Sequence, residues 1–400
     1  MPLDETISIG QPGHITDHQT IAAALNSLTT DGDILTRTAG APARLTRAAL
    51  AADAAFTGTF VPLASVLEGT PLYIYGHSMA LGQVAYNNYG WAARVARRLG
   101  MQLVNRAVGG EVSAQTAGRL IGTVGSSPWV AGTPGVVVFE CAINDVRLYG
   151  NTGSGLNEMT HSLRSMIATV GASSRVEQSA GAFVYTGTWT QGNSYAESSG
   201  GTNAYTTTQN DYVDYTFTGD ACTIMLLVLA SGTLGVDFTV GASTRSKTYV
   251  GESTGTTKPA VSITEVFTGF GAGSHTMRIK KTDATASNLF VDCALIPSTT
   301  PPKVYLLQED YLPTASYALN SPYNQGSDAA VVAYNAKIVA LAAEFPSYCT
   351  ALASTGWNRD AMTATGDGIH PNDQGHAVKA LPLATALLAL SSYAAGVNIT

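Results

Sequence analysis

Pro71-Leu72-Tyr73-Ile74-Tyr75-Gly76-His77-Ser78-Met79 is the stretch on which the fold turns. Leu72–Tyr75 is a short apolar run closed by Gly76, which predicts a buried strand. Val84–Leu99 follows with Trp91, Val95 and Leu99 at helical spacing and Gly100 as a stop, which predicts a helix. Ser78 therefore falls on a tight strand-to-helix turn. Such a turn points a hydroxyl out of the carboxyl edge of a sheet and sets the residue's own N–H at a positive helix end.

Outward from this turn the pattern repeats. Leu103-Val104 is a strand, Val112–Leu120 a helix, Gly135–Glu140 a continuous buried strand, and Leu156–Val170 a helix carrying Met159, Leu163, Met166 and Val170 on one face. Alternating strands and helices imply a parallel sheet covered on both sides. Residues 176–302 have another texture. They are rich in Gly, Thr and Ser, with short strands at Ala182–Tyr185, Tyr212–Thr216, Ile224–Leu229, Gly235–Val240, Ser262–Phe267, His275–Lys280 and Leu289–Ile296, which predicts a β-sandwich. Lys303–Leu307 then resumes an apolar strand, with helices expected over Asp328–Glu344 and Ala377–Leu390. The sandwich reads as an insertion into one α/β domain. The expected organisation is an N-terminal attachment or oligomerisation segment (1–70), the first part of the α/β domain (71–175), the inserted sandwich (176–302) and the second part of the α/β domain (303–400). Within the first segment, Asp17–Leu28 and Leu45–Ala55 are read as helices.

Composition narrows the function. Apolar residues are 45% of the 400, enough for large cores, whereas charged residues are only 12%, about half the usual share. The net charge of −7 and the lack of a Lys/Arg cluster argue against a nucleic-acid footprint. The start carries no basic and apolar leader pattern. The apolar runs Ile224–Ala230 and Leu381–Leu390 fall short of the roughly 20 residues that span a bilayer. Cys141, Cys222, Cys293 and Cys349 are scattered without a CxxC or a His/Cys cluster, so no metal is expected. Cys222 and Cys293 share a region and can be read as a pair or, better, as buried free thiols.

Three further blocks join Ser78. Asp367-Gly368-Ile369-His370-Pro371 spaces a carboxylate three residues before an imidazole, so that the carboxylate can hold the tautomer while the free nitrogen takes a proton. Asn144 follows the Gly135–Glu140 strand, where an amide can donate to an oxyanion; an Asn there can equally cap a helix, and Asp145 can serve that role instead. Asn105-Arg106-Ala107-Val108-Gly109-Gly110 follows the second strand, where glycine lets a backbone N–H approach a substrate.

Ser, Gly, Asn and Asp-x-x-His, in this order on an α/β pattern, resemble the SGNH (GDSL-type) hydrolase family. Pro371-Asn372-Asp373-Gln374-Gly375-His376 is similar to that family's continuation into its last helix. The likeness covers about 71–175 and 303–392. It implies a flavodoxin-like three-layer domain, Ser78 as nucleophile, His370 as base and Asp367 as its partner. It also implies an oxyanion hole from Ser78, Gly110 (or Gly109) and Asn144, two-step acyl transfer, and no cofactor. Two positions depart from the pattern: His77 stands where an Asp is usual and Ala142 where a Gly is usual. His77 adjoins Ser78 in sequence, so its side chain is expected to point elsewhere. The α/β-hydrolase fold is a rival, because Gly76-His77-Ser78-Met79-Ala80 nearly fits Gly-x-Ser-x-Gly, but too few strands precede Ser78.

Asp211–Gly219 resembles strands of jelly-roll carbohydrate-binding modules, and Trp189, Tyr212 and Trp357 are candidate substrate contacts. Residues 7–21 and 31–56 look like N-terminal parts of tail proteins from phages of actinobacteria. That likeness implies an esterase or deacetylase on a virion, homo-oligomeric, assembled with other tail proteins and acting outside the cell on acylated polysaccharide or lipid esters of a bacterial envelope. The alternatives are a non-catalytic receptor-binding tail protein on the same scaffold and a secreted carbohydrate esterase.

Overall fold

The computed structural model describes residues 34–38, 41–45, 67–86, 89–125, 128–229, 232–256 and 260–394. Chain contacts divide the protein into two units, Met1–Pro62 and Leu63–Thr400. In the first, β1 (Ile34–Thr38) pairs antiparallel with β2 (Ala41–Leu45), Thr38 opposite Ala41. The sequence reading assigns no strand there. Its helix over Asp17–Leu28 lies outside the described residues, as does nearly all of Leu45–Ala55, of which Leu45 closes β2.

The second unit opens with β3 (Pro71–Gly76), α1 (Ser78–Leu81), α2 (Trp91–Leu99), β4 (Gln102–Asn105), α3 (Ser113–Ile121), β5 (Val136–Glu140), α4 (Ile143–Tyr149) and α5 (Gly153–Val170). One expectation needs correction: the helix read over Val84–Leu99 begins only at Trp91. Gly82 ends α1 in the left-handed region, Val84 also has a positive φ of 71°, and Gly90 caps α2. The chain doubles back here, and Gly90 packs so closely on Gly82 that a Cβ on it would lie 2.5 Å from Gly82 Cα. The loop is pinned by His376, whose Nδ1 accepts the Trp91 N–H.

Antiparallel strands follow: β6 (Ala172–Glu177), β7 (Phe183–Thr186), β8 (Thr190–Ser194), β9 (Thr202–Thr206), β10 (Tyr212–Thr218), β11 (Ala221–Leu229), β12 (Thr233–Val240), β13 (Ser243–Val250), β14 (Ala260–Thr268), β15 (Ser274–Lys281) and β16 (Leu289–Pro297). They form two sheets, ordered β13-β12-β15-β10-β7 and β14-β11-β16-β9-β8, with β6 also on β16. The sequence reading misses β6, β8, β9 and β13, which are largely polar or exposed. In β10 the inward residues Val213, Tyr215 and Phe217 share a core with Ile224, Leu226 and Val228 of β11. β11 is buried nearly throughout because its reverse face is covered too: Met225 joins the core of the α/β layers. There α5 packs on the sheet, Ser165 Oγ donating to Ser262 O and accepting from Thr264 Oγ1, both at 2.9 Å. Glu158 of α5 accepts from Ser253 Oγ and from the N–H and hydroxyl of Thr254. All four cysteines are free and buried.

The chain then returns through β17 (Lys303–Leu307), α6 (Asp328–Glu344), β18 (Cys349–Leu352), α7 (Arg359–Met362) and α8 (Asp373–Ala394). β18 was not expected from the sequence. The parallel sheet has the order β18-β17-β5-β3-β4. Counted alone, its strands run 2-1-3-4-5, one of the two common doubly wound orders. Successive residues of β5 serve opposite layers. Val136 and Val138 pack with Trp91, Val95 and Leu387, whereas Val137 and Phe139 pack with Leu120, Met159 and Ile338. This is why Val136–Glu140 reads as a continuous apolar run rather than an alternating one. The molecule is thus a mixed α/β protein with an antiparallel β-sandwich packed into the same unit.

Candidate active site

The order 2-1-3 places a topological switch between β3 and β5, where the chain leaves the two strands in opposite directions. Open α/β sheets bind ligands at the carboxyl ends of strands at such a point. Ser78 follows β3 and Asn144 follows β5. Gly76 makes the turn possible: its φ is 154°, and a Cβ there would lie 2.0 Å from Glu140 O on the neighbouring strand.

The structure brings Ser78, His370 and Asp367 together. Ser78 Oγ lies 2.7 Å from His370 Nε2, and His370 Nδ1 lies 2.6 Å from Asp367 Oδ2. The other oxygen of Asp367 accepts the N–H groups of Ile369 (2.9 Å) and His370 (3.0 Å). Partial burial pushes the Asp367 carboxyl up, but these two N–H groups and the imidazole outweigh it and hold the group below its ordinary range. An ionised carboxylate only accepts, so Nδ1 carries the proton and Nε2 faces Ser78 as an acceptor. A hydroxyl, imidazole and carboxylate in this chain can pass a proton off the hydroxyl as it attacks an electrophile.

Asn144 is buried at the start of α4, and its Nδ2 donates to Glu111 O at 2.8 Å. A primary amide has a second N–H to give. Asp145 does not cap its own helix. It accepts from Ser113 N (2.9 Å) and Ser113 Oγ (2.5 Å) at the start of α3, and its deep burial pushes its carboxyl well up against those bonds. Gly110 has a φ of 81°, and its carbonyl accepts from Tyr323 Oη at 3.0 Å. Gly109 lies nearer the Ser78 turn: a Cβ on it would sit 3.7 Å from Ser78 Cβ.

Beneath the turn lies a buried polar group that the sequence reading overlooks. Glu140 accepts from Trp91 Nε1 at 2.8 Å and pairs with Lys379 at 2.7 Å; Lys379 also pairs with Asp310 at 2.6 Å. Burial pushes the Lys379 ammonium down, but Asp310, Glu140 and Glu309 more than reverse this and keep it charged. The available signal is a charged residue ending the apolar strand β5, Glu140, and the pair Glu309-Asp310 shortly after β17. His77, Glu140 and Glu309 have ligand atoms within 4.8 Å of one another, but Lys379 already supplies positive charge beside Glu140. In the sandwich, Glu177 and Asp292 meet at Ser199, and Glu177 Oε2 and Asp292 Oδ1 are buried without a hydrogen-bond partner among the described residues. Those oxygens are of the type hard cations take.

Of the three candidate substrate contacts, Trp189 and Tyr212 belong to the sandwich, whereas Trp357 lies beside the buried cluster, its ring centroid 5.7 Å from Lys379 Nζ. Trp189 packs beside Tyr185 and donates to Thr186 O. Tyr212 is stacked by the Arg278 guanidinium at 3.7 Å. Trp357 donates to Tyr311 O at 2.8 Å and faces the first turn of α8 near Gly375.

No family model matches the chain, and no curated protein matches it. Among solved structures it is similar to a two-domain esterase (CEX) active on acetylated mannans, co-crystallised with mannopentaose, at 10% identity and a TM-score of 0.33, covering 59% of this chain and 93% of the other. It is also similar to the CBM36-1 domain of a multidomain xylanase from the hindgut metagenome of Trinervitermes trinervoides (20% identity, TM-score 0.25, 32% and 98% covered). A third is a family 35 carbohydrate-binding module from Clostridium thermocellum (13% identity, TM-score 0.26, 31% and 99% covered).

Proposed function

We propose that the protein is a serine ester hydrolase of the SGNH type, built on a flavodoxin-like domain, that removes acyl groups from polysaccharide or lipid esters of a bacterial envelope. The observation that carries this reading is the unbroken chain Asp367–His370–Ser78, with contacts of 2.6 and 2.7 Å. His370 Nε2 takes the Ser78 proton as Oγ attacks the ester carbonyl carbon. The N–H groups of Ser78 and of Gly110 or Gly109, with the Asn144 amide, hold the oxyanion. The intermediate collapses, His370 protonates the departing alcohol, and water, deprotonated by the same imidazole, releases the acid. Asp367 holds the tautomer and the imidazolium.

Hydrolysis of p-nitrophenyl esters from acetyl to long-chain, for wild type and Ser78→Ala, tests the reading. Turnover lost in the variant supports it, and the chain-length profile separates deacetylase from lipase. Equal rates in the two sink it and favour a binding protein on a hydrolase scaffold. We further propose that Trp189, Tyr212 and Trp357 contact glycan, tested by retardation of the wild type and of each Ala variant in polysaccharide gels. The attachment role of residues 1–70, the virion location and a homo-oligomeric state are proposals that rest on the sequence likeness of that segment. Mass spectrometry of purified virions and light scattering of the protein test them.

A further inference from the structure

We infer that His77 and Glu309 are positioning residues that lock the Ser78 turn to the Asn144 turn; the inference rests on the serine-hydrolase reading above. His77 is the N-cap of α1, and its Nδ1 accepts the Met79 N–H at 3.3 Å. The proton of a neutral ring is therefore on Nε2, which donates to Glu309 Oε1 at 3.4 Å. The same oxygen accepts the Ala142 N–H at 2.7 Å. Ala142 caps α4, two residues before Asn144. One carboxylate oxygen thus holds both the turn that carries the nucleophile and the turn that carries the amide.

Glu309 is itself fixed. Its N–H donates to Asn335 Oδ1 at 2.8 Å, and its carbonyl accepts from Asn335 Nδ2 at 2.9 Å. His77 and Glu309 are both fully buried, so water does not compete for the bridge. Glu309 Oε2 is buried with no hydrogen-bond partner among the described residues. A carboxylate with an unsatisfied oxygen is a costly way to fill space, so packing alone does not account for it. His77 takes no part in proton transfer, because its free proton goes to Glu309 and Ser78 Oγ is met by His370.

The test uses the full chain with His77→Asn, which keeps an N-cap acceptor but is too short to reach Glu309, and Glu309→Leu, which removes the shared acceptor. Glu309→Gln keeps an acceptor oxygen and serves as rescue. With p-nitrophenyl acetate, each of the first two is expected to lower kcat about 10- to 100-fold with KM within about twofold, as for a misplacement of well under 1 Å. The double variant should fall no further than the lower single, since both remove one link. Glu309→Gln should stay within about threefold of wild type. The midpoint of kcat/KM against pH should not move, because His370 and Asp367 are untouched. An unchanged kcat in His77→Asn, multiplicative losses in the double variant, or a shifted midpoint would each overturn the inference. If Ser78→Ala matches wild type, the serine reading is what has failed. The bridge is then judged in crystal structures: a Ser78 Oγ to Asn144 Nδ2 separation unchanged within about 0.5 Å in His77→Asn rejects it.

Discussion

Asp367 grips His370 twice: Oδ2 lies 2.6 Å from the ring Nδ1, and Oδ1 accepts the backbone N–H of the same residue at 3.0 Å. The ring is therefore oriented by a carboxylate that is fixed to the ring's own backbone. Replacing Asp367 with Asn keeps the shape but lets the amide donate to the ring, favouring the wrong tautomer. Asp367→Asn is expected to lower kcat about 10³- to 10⁴-fold with little change in KM. Steady-state kinetics on a p-nitrophenyl ester checks this, and a loss below about tenfold would remove Asp367 from the proposed role.

Asn144 tests the oxyanion assignment separately. Among the described residues its side chain donates to Glu111 O. Asn144→Ala should cost about 10²- to 10³-fold in kcat, the usual loss for one oxyanion donor, and about 1 kcal/mol in stability for the lost bond. A melting curve alongside the kinetics separates the two. A stability loss without a rate loss would leave Asn144 a structural residue.

At Gly76 the backbone leaves no room for a side chain. Gly76→Ala would drive a methyl to 2.0 Å from Glu140 O, at a φ of 154°. Strands β3 and β5 must then part just below Ser78. The expected destabilisation exceeds about 4 kcal/mol, in the class of exceptional single substitutions, and is read from urea unfolding of wild type and variant. A soluble variant of wild-type stability would contradict the pairing of Gly76 with Glu140 across β3 and β5.

His376 is fully buried, accepts the Trp91 N–H at Nδ1 and meets Gln83 O at Nε2. Burial pushes its pKa down to about 4, against the bond to Gln83 O, which acts upward. The unfolded chain, with a histidine near its ordinary value of about 6.5, binds more protons than the folded one between these limits. Stability from this group is therefore complete above about pH 6.5 and is lost as pH falls towards 4, by up to about 3 kcal/mol. Melting temperatures at pH 7 and pH 5 should differ more in wild type than in His376→Gln. Equal differences would mean that His376 is protonated in the fold.

Much of the α/β unit is legible along the chain because its periodicities are local. Val136–Glu140 reads as a buried strand, since a central parallel strand is apolar on both faces, and Leu156–Val170 reads as a helix from its spacing. Val84–Leu99 misleads, because Gly82, Val84 and Gly90 form a loop held by His376, a residue 285 positions from Trp91. β8, β9 and β13 escape notice because they are polar, edge-lying or exposed, so their pairing carries no hydrophobic signature. The sequence reading treats the sandwich as an insertion but does not foresee that its second sheet buries Met225 against the helices of the first domain.

By itself the sequence determined the inventory: a serine at a strand-to-helix turn, an Asn after a buried strand, and an Asp three residues before a His. Side-chain chemistry and short-range spacing are written residue by residue, so they can be read without coordinates. Only the tertiary structure decided that His370 meets Ser78 at 2.7 Å across 292 positions, and that Glu309, silent in the sequence, receives both His77 and Ala142. The physical reason is that strand order and register fix which carboxyl ends are neighbours. That order is set by burial of the whole sheet, not by any one segment of it.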